Sequence, residues 1–441
     1  MNNRTGTQRY IDAKFNKSVF HKTVLESYEK LKPIVKKNVP KLNENSVSYL
    51  KSIWVSLQNA KRKSNSYMKS LKYNWTTELL KGPMYEEIPT TFQKEIESMC
   101  NHVLDFTITT NNRSFHFHFC KAKKIVDKIR IQKIITWLLF IDPMVVKDCS
   151  KTVDVYFYDI NSKKQFNNVY TNEILGRHHI NTAFTTSCNT HTNIYCFRKE
   201  ENDKCFIHET CHNLGMDFLN ADHEYTMSAN AHLVQLFSLP DDLILEWNES
   251  YPETWGRICN SMLYALFYNP NPNPNPKNST KSKMPKANHF SKKKKKPIHL
   301  EKQKPLSFHE WREIFRIEQF TSLFQCIQLL NANQLNYETL GKIDLKSYRE
   351  NSHGISYFLL TSIFMFHLND FLDYCKKNSN ILVDSSIECS INISKSKSSI
   401  ENYINMIETK YNDPDFTDSL ARIAEKKVSL NSGRMSFFGA V

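Results

Sequence analysis

Apolar and polar positions are weakly organised at the start of the chain and strongly organised after it. Through residue 81 the apolar residues come in short clusters. Tyr49, Leu50, Ile53 and Trp54, at i, i+1, i+4 and i+5, predict a weakly amphipathic helix in a partly ordered leader. From Glu95 the pattern is mixed. FHFHF, Phe115 to Phe119, alternates with period two and predicts a strand, while Lys124 to Phe140 is apolar at helical spacing and predicts a buried helix. VDVYFY, Val153 to Tyr158, reads as a second strand followed by a turn. HHINTAFTT (His178 to Thr186) and NIYCFR (Asn193 to Arg198) predict two more around the polar loop SCNTHT. A helix should then begin near Glu200, where Glu200, Glu201 and Asp203 suit the positive end of its dipole.

NPNPNPNP, Asn269 to Pro276, interrupts everything, because each proline removes a donor and restricts the residue before it. The Lys-rich tract behind it has too little to bury. Past Pro305, Trp311 to Leu330 and Ile355 to Cys375 predict long apolar helices, and Lys397 to Tyr411 a last one. The expected organisation is a basic leader (1–94), a central mixed part (95–268), a linker or insertion (269–304) and a helical part (305–441). That last part should pack on the central one, since the Ile355 helix is too apolar to stand free. The fold class is α+β: a small mixed sheet with one key helix beneath it, embedded in a largely helical chain.

Composition narrows this picture. At 441 residues and 40% hydrophobic, the chain can build a real core of two or three domains. No run of 18 apolar residues occurs, so no membrane span is expected. MNNRTGTQRYIDAKF lacks the apolar stretch of a secretory signal. The eleven cysteines are odd in number and contain no CxxC, and they read as reduced thiols of an intracellular protein. The net charge of +14 is local: residues 277–304 carry eleven Lys against one Glu, and residues 1–81 seventeen Lys/Arg against five Asp/Glu. The remainder is mildly acidic, so nucleic acid is a partner only through the basic tract. KKKKKP reads equally as a nuclear-import signal or as simple solvation.

The chemistry is concentrated in FIHETCHNLGMDF. On a helix His208 and His212, at i and i+4, share one face and converge on one metal ion, while Glu209 beside them can act as general base. A chance HExxH in a chain of this histidine content arises roughly 3% of the time, and the uncharged residues inside this one favour a zinc site over surface histidines. His116 and His118 also share one face, of a strand, but have no third ligand nearby; they read as strand-surface histidines.

HETCH after two strands resembles the zincin metallopeptidases. The block from His178 to Phe218, together with ESYPETWGRICN (Glu249 to Asn260), HGISYFLLTSIF (His353 to Phe364) and RMSFF (Arg434 to Phe438), resembles HExxH proteins of large nucleocytoplasmic DNA viruses. The likeness covers about 95–265 and 300–441, and implies a zincin fold, Zn2+ and proteolysis in a host cytoplasm or virion. The histidine that completes a metzincin site would fall at Phe218, which excludes that class. The gluzincin pattern, with a glutamate on a later helix, implies Glu253 as third ligand; Asp217, Asp222 and His223 are the other candidates, and Asp217 can instead steady an imidazole. In zincins the strand before the helix pairs with an extended substrate, which implies main-chain bonds from Asn181, Thr182 and Ala183. Tyr357 and His353 are candidates to stabilise an oxyanion, or simply core and rim. Two functions follow: a zinc metallopeptidase acting on a protein or peptide substrate with Glu209 as base, or a catalytically silent zincin scaffold that binds polyanions through its basic segments.

Overall fold

The computed structural model describes residues 18–146, 148–166, 174–268, 305–335, 345–380, 389–428 and 430–439. The expected linker, 269–304, and the first seventeen residues of the leader lie outside them. The fold is α+β, with one small mixed sheet among many helices.

The sheet has six strands: β1 (Asn74–Thr76), β2 (His102–Thr109), β3 (Ser114–Lys121), β4 (Thr152–Tyr158), β5 (Ala183–Thr185) and β6 (His191–Cys196), in the spatial order β1-β2-β3-β4-β6-β5. β3, β4 and β6 run parallel, while β1, β2 and β5 pair antiparallel at the two sides. The alternation of FHFHF sets the faces: Phe115, Phe117 and Phe119 are buried on the side of the main core. The opposite face carries a stacked row across four strands. Its ring centroids lie 4.9 Å apart for His118–Tyr156, 4.7 Å for Tyr156–Tyr195 and 4.8 Å for Tyr195–Phe184. Tyr85, Ile88, Phe92 and Ile96 cover it, the last two from α3 (Thr90–Met99). His118 bonds Asp105 at 2.8 Å and His116 meets Thr107 at 3.3 Å; each has its own partner on the sheet surface.

The leader helices α1 (Val19–Asn38) and α2 (Glu44–Ser70) belong to the same core as the rest. Asn43 caps α2 by accepting from the amide of Ser46, and Tyr49, Leu50, Ile53 and Trp54 are all buried. α4 (Lys128–Ile141) starts later than its apolar pattern suggests, because Asp127 caps it. α5 (Asn202–Asn213) carries HETCH; α6 (His223–Leu236), α7 (Ser250–Leu266) and α8 (Phe308–Ala332) follow.

Four expectations are corrected. HHINTAFTT is not one strand: Arg177–Ile180 forms a helical turn, with the carbonyls of His178 and His179 held by Arg198, and only Ala183–Thr185 pairs. The Ile355 helix is not continuous. A π-helical segment, Ile355–Leu360, leads into α9 (Thr361–Phe366), and the axis then turns by 95° into α10 (Leu368–Asn378). His367, at φ −88° and ψ 45°, leaves helical geometry and makes the corner. α11 (Lys397–Lys410) is followed by a further helix, α12 (Pro414–Ala424), capped by Asp413. Lastly, Cys149 and Cys188 are joined as a disulfide, so not all the thiols are free; Cys188 sits in the loop after β5, and its amide donates to the carbonyl of Asn213 at the end of α5.

No single helix among the described residues is long and apolar enough to cross a membrane. The bent pair Ile355–Phe366 and Leu368–Asn378 passes by length and composition together, but every residue from Ile355 to Phe366 is buried within the fold.

Candidate metal centre

The rotation of α5 about its axis is set by two contacts on its sheet side. Phe206 has its ring 5.9 Å from Phe117 and 5.6 Å from Phe157, and Thr210, one turn on, accepts from the Trp137 indole at 2.7 Å. Burying Phe206 is worth roughly 1.5–3 kcal/mol. The same rotation turns His208 and His212 away from the sheet and leaves Glu209 to the side, lining a cleft with Ala183 and Phe184.

Three atoms converge there. His208 Nε2 and His212 Nε2 are 3.0 Å apart, and Glu249 Oε2 lies 2.9 Å from the first and 3.1 Å from the second. Four-coordinate zinc with bonds of about 2.0–2.1 Å sets its ligands about 3.3 Å apart, so the triangle has the size of one face of such a site. The other nitrogen of each ring meets a carboxylate: His208 Nδ1 is 3.3 Å from Glu253 Oε2, and His212 Nδ1 faces Asp217 Oδ2. A carboxylate in that place holds the ring proton on Nδ1 and turns the Nε2 lone pair outward. Two lone pairs and a carboxylate oxygen then share a small buried space, and a cation between them satisfies all three.

The electrostatics agree with the geometry. Burial works against the charged form of Glu249, yet the two imidazoles hold its carboxyl well below the usual range. Burial also opposes a charged His212, but Asp217 and Glu249 outweigh it and raise the imidazole. Glu209 differs: burial pushes its carboxyl above the usual range, with His208 and His212 opposing.

The carboxylate oxygen beside the two Nε2 atoms is that of Glu249 and not that of the expected Glu253. Glu249 ends a 3-10 turn, Trp247–Glu249, that runs into α7; Glu253 follows one helical turn later on the same face. Glu253 is fully buried and already engaged, with Oε2 2.6 Å from Lys204 Nζ and Oε1 2.9 Å from Arg257 Nε. Burial opposes its charge, but these cations draw its carboxyl far below the usual range. It stands behind His208, as Asp217 stands behind His212. One sequence signal pointed this way: Arg257 is at i+4 from Glu253 and marks it as one half of a helix ion pair. Asp222 and His223 are exposed at the start of α6, where Asp222 caps the helix, and neither joins the cluster.

A cleft of about 290 Å3 opens over Glu209, His212 and Glu249. Tyr357 and His353 line the cleft, together with Ala183 of the outer strand and Asn181 just before it. Thr182 lies between them, its carbonyl accepting from the amide of Phe197 at 2.8 Å, and lines a small adjoining space beside Glu209. The ring of Tyr357 lies 5.8 Å from that of His208. Tyr357 sits in the π-helical segment, and its carbonyl accepts from Arg257 at 3.1 Å.

The segment from Met435 to Phe438 braces the start of α5. Buried Glu201 accepts from the amides of Met435 and Ser436 at 3.0 and 2.9 Å and pairs with Lys164 at 2.8 Å. Asn260 on α7 donates to the carbonyl of Phe438 at 2.6 Å. A scan against protein-family models, and searches of curated proteins and of solved structures, found no match for this chain.

Proposed function

We propose that the chain is a zinc metallopeptidase of zincin type. One observation carries this reading: His208 Nε2, His212 Nε2 and Glu249 Oε2 lie within 3.1 Å of one another while carboxylates occupy the far side of both rings. Two imidazoles and one carboxylate at this spacing match the three protein ligands of a catalytic zinc site, and the HExxH spacing on one helix favours Zn2+. Bound there, the ion would act as a Lewis acid toward a scissile carbonyl and acidify water. The residues do the rest. Glu209, its carboxyl raised by burial, takes a proton from the attacking water and passes it to the leaving amine. The outer strand at Ala183, with Asn181 and Thr182 before it, offers main-chain groups to an extended peptide. Tyr357 and His353 supply donors for the developing oxyanion.

The test pairs metal analysis with cleavage of a mixed peptide library by the parent and Glu209→Gln. The expected result is about one zinc per chain in both and cleavage by the parent alone. Absence of stoichiometric zinc from the parent defeats the reading; zinc without cleavage leaves a binding scaffold in its place.

A further inference from the structure

The parallel strands β3, β4 and β6 end on one side of the sheet, and α4 and α5 both start there. A cleft of about 850 Å3 opens at that edge, and none of the residues converging on the metal centre lines it. Crevices outside the carboxyl ends of parallel strands are a general place for ligands.

The floor is cationic and aromatic. Arg130 lies over Phe157 and Phe119, 4.6 and 5.0 Å from their ring centroids. Its Nε bonds Asp203 at 2.8 Å and its Nη1 bonds Asp159 at 2.9 and 3.0 Å, whereas Nη2 is buried without a hydrogen-bond partner. Lys133 Nζ is 3.5 Å from Asp203 and 3.8 Å above the Tyr264 ring, and Lys121 Nζ is 3.8 Å from Asp159. Three cations therefore share two carboxylates. The rim adds exposed Lys123 and Lys199 against Asp127, so the cleft keeps a positive excess. One wall is apolar and open to solvent: Ile125 is 60% exposed and Ile129 48%.

A buried guanidinium donor left over, ammonium groups beside it and an apolar wall call for a ligand with an anionic head and a nonpolar body. We propose that this cleft binds a small organic phosphate, with its phosphate against Arg130, Lys121 and Lys133 and its body against Ile125 and Ile129. A phosphate, with more than one charge and three acceptor oxygens, matches the shared cations better than a single carboxylate. This site does not depend on the metallopeptidase reading.

The test is calorimetric titration of the full chain with ADP, inorganic phosphate, adenosine and citrate. ADP should bind at one per chain, more tightly than inorganic phosphate, which lacks the body, and than adenosine, which lacks the charge. Lys123→Glu with Lys199→Glu, both exposed, should weaken ADP about tenfold or more while metal content and melting temperature stay unchanged. Lys133→Met removes a floor charge and should weaken it further; if that variant does not fold, the rim pair still decides. Replacing Lys292 to Lys296 by Gln should leave ADP affinity intact. ADP binding that ignores the rim charges, that vanishes with the Lys292–Lys296 replacement, or that is absent from the parent overturns the proposal. Citrate binding as tightly as ADP overturns the choice of phosphate.

Discussion

Carboxylates are buried in two regions of this chain, and the two treat them in opposite ways. Around the candidate metal centre Glu201, Glu249 and Glu253 each meet a lysine, an arginine or imidazoles, and each is held below the usual range although burial pushes the other way; Glu201 comes to about 2. In the helical part Glu318 and Glu350 have only neutral partners at hydrogen-bond distance. Glu318 accepts from the Phe437 amide at 2.9 Å, and Glu350 takes the amides of Gly354 and Ile355 with the Ser352 hydroxyl. Burial pushes both up to about 7. The first region stores charge, the second stores protons. Glu209 has the second character inside the first region: it is surrounded by charge yet raised by burial, which suits a group that must gain and lose a proton.

The largest expected effect tests that exception. Glu209→Gln keeps size and both imidazoles, so peptide cleavage should fall by about 10²–10⁴-fold while zinc stays bound. A cleavage rate close to the parent's would remove Glu209 from the chemistry.

The next test separates the two glutamates of ESYPE. Glu249→Gln should abolish tight metal binding, since the amide replaces a ligand atom. Glu253→Gln should weaken the metal by about 10–100-fold through His208, and should cost about 3–5 kcal/mol of stability by leaving Lys204 and Arg257 buried without their carboxylate. Competition against a chelator and a denaturant curve would measure both. If Glu253→Gln loses metal and Glu249→Gln does not, the assignment of the two residues is reversed.

The helical region should be read out by pH. Glu318 and Glu350 titrate at about 7 in the folded chain against 4.5 for an ordinary glutamate, so the folded state binds protons that the unfolded state has lost. Their contribution is complete below about 4.5 and disappears as pH rises through 7, an effect of up to about 3 kcal/mol each. Glu201 acts with the opposite sign, at lower pH: its contribution is present above 4.5 and is lost as pH falls toward 2. Melting temperature should therefore decline from about pH 5 to about pH 8, and Glu318→Gln with Glu350→Gln should flatten that decline. An unchanged slope in the double variant would show that other groups set it.

The smallest effect is expected at the second histidine pair. His116→Ala and His118→Ala should leave metal content unchanged and shift stability by about 1 kcal/mol or less, as for partly exposed polar contacts. Loss of zinc in either variant would place a metal on the sheet.

Those two pairs also mark what the sequence could reveal. HETCH was legible because i and i+4 on one helix determine convergence without any tertiary information, and FHFHF because alternation alone separates Phe117 from His116. Which carboxylate joins the two imidazoles was not, since the placing of Glu249 rather than Glu253 beside them depends on how α7 meets α5. The corner at His367 was hidden because apolar spacing is the same on both sides of it, with no proline or glycine to mark it. HHINTAFTT was half legible: its strand survives only where main-chain pairing with β6 is free of the Arg198 contacts. The pairing of Cys149 with Cys188, 39 residues apart, rests on two loops meeting at the end of α5.

The brace beneath α5 has a consequence for the order of events at the ribosome. The helix that carries HETCH is complete at Asn213, but the amides that satisfy Glu201 at its start come from Met435 and Ser436, more than 220 residues later. Domains fold as their chain emerges, so the two histidines are translated long before the segment that seats their helix. Until that segment is made, a nascent chain carries HETCH without the support that positions it.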